Sequence, residues 1–421
     1  MGIKFLHFAD AHIGVENHGR MDPSTGLHTR LQDFVNCLRF AFEEAITEEV
    51  DLVVFAGDAY RSCDPTPTQQ REFAGLIKMF SEARIPVVLV AGNHDTPVAF
   101  GKASSLDIFS TLNIPNFYVA TKKDELFTIQ TRSGSIQVAC LPWLQRGRLA
   151  AKAEYQDLTP EQLVERLQHL GEEIIEGFVR RLDARFPAIL VAHLAAADAA
   201  FSGSEQTAII GRDPVFLTGT LANPAFDYVA LGHIHKFQDL NPNGRPSVVY
   251  PGSIERVDFG EQEEPKGVCL VTIRNSDASS EVVPSREVEY RFLQTPARPF
   301  KTILVNVGDG ADPTTAITNE ILRHSVDDAV VRIFYEIQGS REVVIDVKAV
   351  KQTLKNAFLL SSISPLPKPS VRNPRASISE HTGLKDALHA YLSNHPELAS
   401  LEDDLQAGAA KLEFELEGGA S

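Results

Sequence analysis

The 421-residue sequence is short of cysteine, of positive charge and of long apolar runs, and each shortage excludes a class of protein. Its four cysteines, Cys37, Cys63, Cys140 and Cys269, lie far apart with neither metal-ligand nor redox spacing. They read as buried or incidental thiols in a reducing cytosol, so no disulfide framework is expected. No uninterrupted apolar stretch is long enough to span a bilayer. The N-terminal run reads as a core strand leading into polar site residues, so no signal peptide is expected there. These features together point to a cytoplasmic protein. Internal repeats, a P-loop and glycine-rich nucleotide motifs are all missing, so any ATP dependence must come from another chain. Lys and Arg total 40 against 56 Asp and Glu, a net charge of −16. That balance argues against strong nucleic-acid binding by the isolated chain, whose usual mark is a basic footprint. The length predicts two or three domains.

What the chain has instead is a series of short Val/Ile/Leu-rich runs, each ending in a residue able to bind a metal. Ile3 to Ala9 precedes Asp10-Ala11-His12, Leu52 to Ala56 precedes Gly57-Asp58, and Val87 to Ala91 precedes Gly92-Asn93-His94-Asp95. Ile189 to Ala192 precedes His193, and Tyr228 to Leu231 precedes Gly232-His233-Ile234-His235. Such runs read as buried strands, and sites in open α/β sheets lie at the carboxyl ends of strands. Each fragment alone has a plainer explanation: Asp-x-His and Gly-Asp as turns, His193 as a satisfied core histidine. Taken in this order they converge on one sheet edge, and Gly-Asn-His-Asp serves neither packing nor a turn. Carboxylate, amide and imidazole ligands suit ions such as Mn²⁺. Two such ions can clamp a phosphodiester, activate a water and stabilise the departing oxygen. Asp10 and His12, two residues apart, are expected to share one face of a strand, as are His233 and His235. Asp58, alone at the end of an expected central strand, is the candidate bridging carboxylate. Gly57, Gly92 and Gly232 are expected to let the backbone turn sharply towards the ions.

These motifs resemble the signature of the calcineurin-like metallophosphoesterases. The segment Tyr250-Pro251-Gly252-Ser253-Ile254-Glu255-Arg256-Val257-Asp258-Phe259-Gly260-Glu261 narrows the resemblance to the SbcD-type DNA repair nucleases within that superfamily. The resemblance implies an α/β fold: a metallophosphoesterase sandwich with a small α+β capping domain and a C-terminal helical tail that binds a partner. It implies two Mn²⁺ ions, with Mg²⁺ or another divalent ion as alternatives. One would be held by Asp10, His12, Asp58 and His235, the other by Asp58, Asn93, His193 and His233. His94 would face the scissile phosphate and protonate the leaving oxygen or stabilise its charge, with Asp95 orienting and charging that imidazole. Contacts to DNA would fall on His18, Arg61, Ser204 and Arg256. Arg61 departs from archaeal relatives, which carry a histidine there. An arginine can contact a phosphate but cannot transfer a proton at neutral pH, which leaves the balance of exonuclease and endonuclease action open.

The function so implied is a DNA exonuclease and endonuclease component of an SbcC-SbcD-type double-strand-break repair complex. Its substrates would be duplex ends, hairpins and single strands, and its partners an SbcC-type coiled-coil ATPase and a second copy of itself, in the nucleoid-associated cytoplasm. Two other readings stand beside it: a metallophosphodiesterase for small phosphodiesters or cyclic nucleotides, and a non-catalytic DNA-end scaffold.

Along the chain, residues 1–280 are expected to form the nuclease domain, 290–362 the capping domain, 363–378 a linker and 379–415 a helical ATPase-binding segment. Leu31, Phe34, Val35, Leu38, Phe42 and Ile46 repeat at helical spacing and predict a helix on the sheet. Another helix is predicted within Thr159 to Asp183, after Arg146 and Arg148, two arginines able to touch phosphate. The small-residue-rich stretch from Ala195 to Thr220 reads as a long loop near the metal edge. Asn241-Pro242-Asn243-Gly244 signals a hairpin that returns Gly252 and Ser253 to the site. A polar shift from Ser276 to Arg291 reads as the end of the first domain. Strands are predicted at Thr302 to Val307, Ala329 to Ile337 and Val343 to Ile345, with helices from Pro313 and Val347. Ser361 to Ser377, rich in Ser and Pro, reads as an extended linker. Two short amphipathic helices after it, carrying Leu384, Leu388, Leu392, Leu401 and Leu405, need a surface to dock on.

Overall fold

The computed structural model describes residues 2–366 apart from 98, 100, 156, 203–212, 277–284, 309 and 338–343, and beyond them 388, 392, 403 and 405–408. Its strands, in chain order, are β1 (Gly2–Phe8), β2 (Leu52–Phe55), β3 (Val87–Val90), β4 (Phe117–Ala120), β5 (Glu125–Thr131), β6 (Gly134–Leu141), β7 (Ala188–His193), β8 (Ala195–Ala196), β9 (Val215–Phe216), β10 (Tyr228–Gly232), β11 (Gln238–Asp239), β12 (Ser247–Tyr250), β13 (Gly267–Asn275), β14 (Arg286–Gln294), β15 (Phe300–Val307), β16 (Val330–Ile337) and β17 (Leu359–Pro365). Two six-stranded sheets face each other, in the orders β14-β13-β1-β2-β3-β4 and β11-β12-β10-β7-β6-β5. β1 to β4 run parallel in the first, and β6, β7, β10 and β12 run parallel in the second.

The near-continuous apolar runs follow from burial on both faces of each sheet. Ile3, Phe5, Val54 and Val88 point inward and pack on Ile189, Val191, Tyr228 and Ala230 of the opposite sheet. Their neighbours Leu6, Phe8, Val53 and Leu89 point outward into a second core with Leu31, Phe34, Leu38 and Phe42. Those four lie on the helix Thr29–Thr47, which packs on the sheet as its spacing predicts. Leu190, Val229 and Leu231 meet Ile175 and Phe178 of the helix Pro160–Val179 on the far side. The helices Pro67–Glu82 and Pro160–Val179 open with the same Thr-Pro-x-Gln device. The Thr hydroxyl accepts from the Gln amide and the Gln side chain accepts from the Thr amide, so two orphan donors are satisfied and proline sits where no amide is needed.

A smaller unit follows. β15, β16 and β17 are all parallel, and the helices Pro313–Ile321 and Val347–Thr353 cover one face through Ile317, Ile321 and Val350. It meets the sandwich at a polar and aromatic joint. Phe259 packs on Phe300 at 4.9 Å, the Gln262 side chain accepts from Thr302, and Arg298 places two nitrogens on Asp33.

Several boundaries differ from expectation. The first sheet continues past residue 280, because β14 pairs with β13 along its whole length. Val288, Tyr290 and Phe292 alternate with outward Glu287, Glu289 and Arg291, the pattern of an edge strand wetted on one side, which composition alone disguised as a domain end. Val344 and Ile345 lie outside any strand, and Val343 is outside the described residues. The third strand of the small sheet is instead Leu359–Pro365, so the first residues assigned to the linker are strand. The remainder of the 363–378 linker and most of the 379–415 helical segment lie outside the described residues, although 405–408 are helical. The predicted hairpin is present, with β11 and β12 antiparallel around 240–246. Among the described residues no helix is long and apolar enough to cross a membrane.

Candidate metal centre

The carboxyl ends of β1, β2 and β3 in one sheet and of β7 and β10 in the other open onto a single cleft between the layers. Asp10 and His12 follow β1, Asp58 follows β2, Asn93 and His94 follow β3, His193 ends β7, and His233 and His235 follow β10. None of the residue pairs shares a strand face. Asp10, His12, Asp58 and His233 all lie past the strand ends at positive φ, between 41° and 105°. That region is unfavourable for residues with a side chain by about 1–2 kcal/mol each, and residues held there cluster at functional sites. Backbone bonds hold these turns in place. Asp10 N–H donates to Gly57 O at 2.9 Å, His12 N–H to Asp58 O at 3.0 Å, and Ile13 N–H to Ala59 O at 2.9 Å.

Of the three glycines only Gly57 turns through positive φ, at 99°. Gly92 and Gly232 supply close approach instead. A Cβ on Gly92 would strike the Asp58 carboxylate, and one on Gly232 would strike the Ala56 carbonyl.

Among the described residues three donor groups form, one of them made by His12, Asp58 and the exposed His94 and bridging the other two. Ligand-capable atoms of Asp10, His12 and His235 lie within 4.8 Å of one another, and so do those of Asp58, His193 and His233. Asn93 Oδ1 joins the second group, 2.8 Å from His193 Nε2 and 3.2 Å from His233 Nδ1. Asp58 Oδ2 lies between the groups, 3.8 Å from His12 Nε2 and 3.4 Å from His193 Nε2.

Neighbouring groups fix which imidazole atom faces the cleft. His193 Nδ1–H donates to Ala56 O at 2.7 Å and His235 Nδ1–H to Glu261 Oε1 at 2.8 Å, so both present Nε2. Glu261 is itself held by Lys266 at 2.9 Å and by the Val257 amide at 2.9 Å, and Lys266 also donates to His235 O. Glu261 and Lys266 are fully buried. Sequence reasoning reaches Glu261 only as part of a motif, since its partner lies 26 positions away.

The donor chemistry fits divalent cations. His12 Nε2 and His235 Nε2 approach to 2.9 Å, a spacing suited to two lone pairs aimed at one ion, because nitrogens about 2.1 Å from an ion at right angles lie about 3.0 Å apart. His233 Nε2 is buried without a hydrogen-bond partner among the described residues. Burial pushes Asp10 up to about 7, the nearby Asp58 charge adding to it against His193 and His235. Burial drives His12 and His233 well below the ordinary histidine range. Burial also opposes ionisation of Asp58 and His193, but their mutual attraction prevails, holding Asp58 low and raising His193 to about 9.

His94 is exposed at the cleft mouth, its ring 5.0 Å from that of His12. Its Nδ1–H donates to the Arg61 carbonyl at 2.7 Å, and its amide donates to Asp58 Oδ1 at 2.8 Å. Asp95 does not orient His94. Its buried carboxylate turns the other way and accepts from the amides of Asp58 (2.8 Å), Ala59 (3.0 Å) and Gly92 (3.0 Å). Consecutive residues on a tight turn diverge, so Asp95 stitches the second and third ligand loops together while Arg61 sets the imidazole.

The expected DNA contacts separate. Arg61 is exposed beside His94. His18 faces the joint instead, bonded to Ser361 at 2.9 Å with its ring against Phe259 and Phe300. Arg256 spends its guanidinium on the carbonyls of Glu264 and Arg298. In this structure both side chains help hold the two units together. Ser204 lies outside the described residues.

A family model for calcineurin-like phosphoesterases matches residues 3–237, and the chain belongs to that family. It is therefore a metal-dependent phosphoesterase. The SbcD component of the nuclease SbcCD from Staphylococcus epidermidis is 27% identical over 296 residues, covering 68% of this chain and 71% of that protein, in keeping with the resemblance read from the motifs. A dimetal phosphatase of known structure from Danio rerio is 11% identical, matched over 64% of this chain and 94% of its own with a TM-score of 0.38, too distant to add to the assignment.

Proposed function

We propose that this calcineurin-like phosphoesterase is a Mn²⁺-dependent DNA nuclease, cutting phosphodiesters at duplex ends, hairpins and single strands. The observation that carries the proposal is the pairing of two donor groups around Asp58 with an exposed, oriented His94 at the mouth of the cleft. Asp10, His12, Asp58 and His235 would hold one ion, and Asp58, Asn93, His193 and His233 the other. Bound there, two divalent ions would supply positive charge to the phosphate and lower the pKa of a water. With Nδ1 committed to Arg61 O, His94 keeps Nε2 to carry a proton to the leaving oxygen. The carbonyl fixes the ring, so little reorganisation is needed when the leaving group charges. Arg61 would lie where a flanking phosphate passes, as an anchor and not as an acid.

The similarity to the SbcD component of an SbcCD nuclease supports an SbcC-type ATPase as partner, DNA as substrate and a cytoplasmic site of action, with the small unit as a cap over the DNA. Dimerisation through the helix region after β1 belongs to the same proposal. Replacing His94 by Asn should abolish cleavage of an end-labelled hairpin in Mn²⁺ while leaving two ions bound per chain. Loss of both would reassign His94 as a ligand. Wild-type turnover of a small chromogenic phosphodiester alone, persisting when the ATPase is added, would instead favour a small-substrate phosphodiesterase.

A further inference from the structure

A cavity of about 540 Å³ opens beside the metal centre, at the carboxyl end of β6. Trp143 separates the two. Its ring lies 5.1 Å from that of His233 and 6.0 Å from that of His193, and it also lines the cavity. The floor is apolar, built from Leu141, Leu144, Leu167, Leu170 and Ile174. The rim is cationic, with Lys122, Lys123, Arg148 and Lys152 around a single acid, Asp124, which pairs with Arg181 at 3.7 Å. Arg148 donates to the Lys122 carbonyl and straps the rim across. A second depression continues from this rim past Gln145 and Lys102 to Thr96 and Pro97, on the loop that carries His94. Lys122 also pairs with Asp107 at 2.7 Å and Lys152 with Glu154 at 3.9 Å, so the rim's uncompensated charge rests on Lys123 and Arg148, set beside an aromatic-walled apolar cavity in a chain of net charge −16.

We propose that this cavity seats a nucleotide of the strand being cut, its base against Trp143 and the apolar floor and its phosphate on the Lys122–Lys123–Arg148 rim. The proposal rests on the nuclease reading and names the part of its substrate that the cleft recognises. Base-on-aromatic stacking with a cationic track for the backbone is the general chemistry of sequence-tolerant single-strand binding. The cavity is large enough for a base and sugar and lies beside the cleft where the phosphodiester would lie, across Trp143. A base can enter only after leaving the duplex stack, so the seat suits frayed ends, hairpin loops and single strands.

Trp143 is the only tryptophan in the chain, so its fluorescence reports on the wall between this cavity and the metal cleft, and variants on the cavity side assign the signal to the cavity. The full-length protein, kept in chelator so that phosphate cannot bind through a metal, would be titrated with 2′-deoxyadenosine 5′-monophosphate. Saturable quenching is expected, with the dissociation constant raised about tenfold by Lys123→Glu on the rim and by Ile174→Phe, which fills the floor. Lys123 is exposed, so its variant should fold unchanged. With DNA and Mn²⁺, Lys123→Glu should raise KM more than it lowers kcat. No saturable quenching, or quenching indifferent to both variants, overturns the seat. Nuclease activity that survives such a result would leave the nuclease reading standing, while a sound seat without DNA cleavage would count against the nuclease reading alone.

Discussion

The metal cleft and the joint between the sandwich and the small unit both bury charge, yet they treat it in opposite ways. At the joint, fully buried Arg30 meets Asp33 at 2.8 Å and Glu255 at 3.6 Å. Arg298 adds two contacts to Asp33, and its amide donates to Glu255 at 2.9 Å. Each carboxylate there has cationic or amide donors in the protein itself. In the cleft, nitrogens face nitrogens, His233 Nε2 has no partner among the described residues, and four site residues sit at unfavourable φ. The carboxylates of the joint are matched by cations of the protein itself, although Arg30 Nε and Arg256 Nε lack a partner there among the described residues, whereas the cleft gathers donor atoms that face one another and suit a bound cation. A buried ion pair contributes stability only when its partners stay together, and an incomplete polar cluster marks a site whose partner comes from outside.

The largest effect should come from breaking the cleft at Asp10. Asp10→Asn keeps the acceptor for the His233 amide but removes a charge that the unligated cleft opposes. Activity should fall by about a thousandfold or more, since the ions contribute several kcal/mol to the transition state. In chelator its melting temperature should equal or exceed that of the wild type, and the rise given by Mn²⁺ should shrink. A clear loss of stability in chelator would mean that the cleft is as self-sufficient as the joint.

Asp33→Ala tests the other side. It removes the carboxylate shared by Arg30 and Arg298 but leaves Arg30 with Glu255 and Arg298 with Asp328, so the loss should fall below the ~3–5 kcal/mol that one-sided removal of a sole buried partner costs. Urea unfolding should show that loss with or without Mn²⁺. If the variant is as stable as the wild type, the joint is not held by its charges.

The contrast explains what the sequence disclosed. Every candidate ligand was legible because each directly follows an apolar strand, and parallel strands deliver their ends to one edge. The sandwich was legible for the same reason. What it concealed was direction. Asp10 and His12 look like strand neighbours on one face, but the chain leaves β1 at Phe8 and turns through positive φ at both. Asp95 looks like a partner for His94, but its carboxylate faces the amides of the neighbouring loops. His18 and Arg256 carry the chemistry of a DNA contact and are used at the joint. Serine and proline made the end of the strand Leu359–Pro365, from Ser361 on, read as linker, because an edge strand needs few apolar residues. These roles depend on tertiary contacts that neither adjacency nor composition encodes.

Glu261 joins the two regions. It holds His235 on one side, while its neighbours Phe259 and Gln262 contact Phe300 and Thr302 of the small unit. Attraction to His235 and Lys266 outweighs burial and holds its carboxyl near 2. Glu261→Gln should weaken binding of one of two Mn²⁺ ions by about 10–100-fold, the usual scale for a group that orients a ligand. Calorimetric titration would read this directly, and Glu261→Asp should restore part of the affinity. Equal weakening at both ions would point to a general loosening of the cleft.

The smallest effect sharpens the comparison from inside the sandwich. His7 lies behind the cleft, fully buried, within 3.1 Å of both Tyr228 Oη and Leu231 O. The carbonyl can only accept, so Nε2 carries the proton and the tyrosine donates to Nδ1. Burial pushes the His7 pKa down to about 3, so the fold keeps the ring neutral. An unfolded chain protonates the same ring near pH 6.5. The stability tied to neutral His7 is therefore present above about pH 6.5 and is lost as pH falls towards 3, at about 1 kcal/mol per unit. Asp10, raised by burial, acts in the opposite direction over the upper part of that range, so the two slopes partly cancel in the metal-free wild type. Measured in the Asp10→Asn background with chelator, urea midpoints should fall between pH 6 and pH 5, and adding His7→Gln should lessen that fall by the His7 share, while the buried His12 and His233 keep theirs. An unchanged slope would mean that His7 takes up a proton in place, and that the polar interior behind the cleft accommodates charge as readily as the joint does.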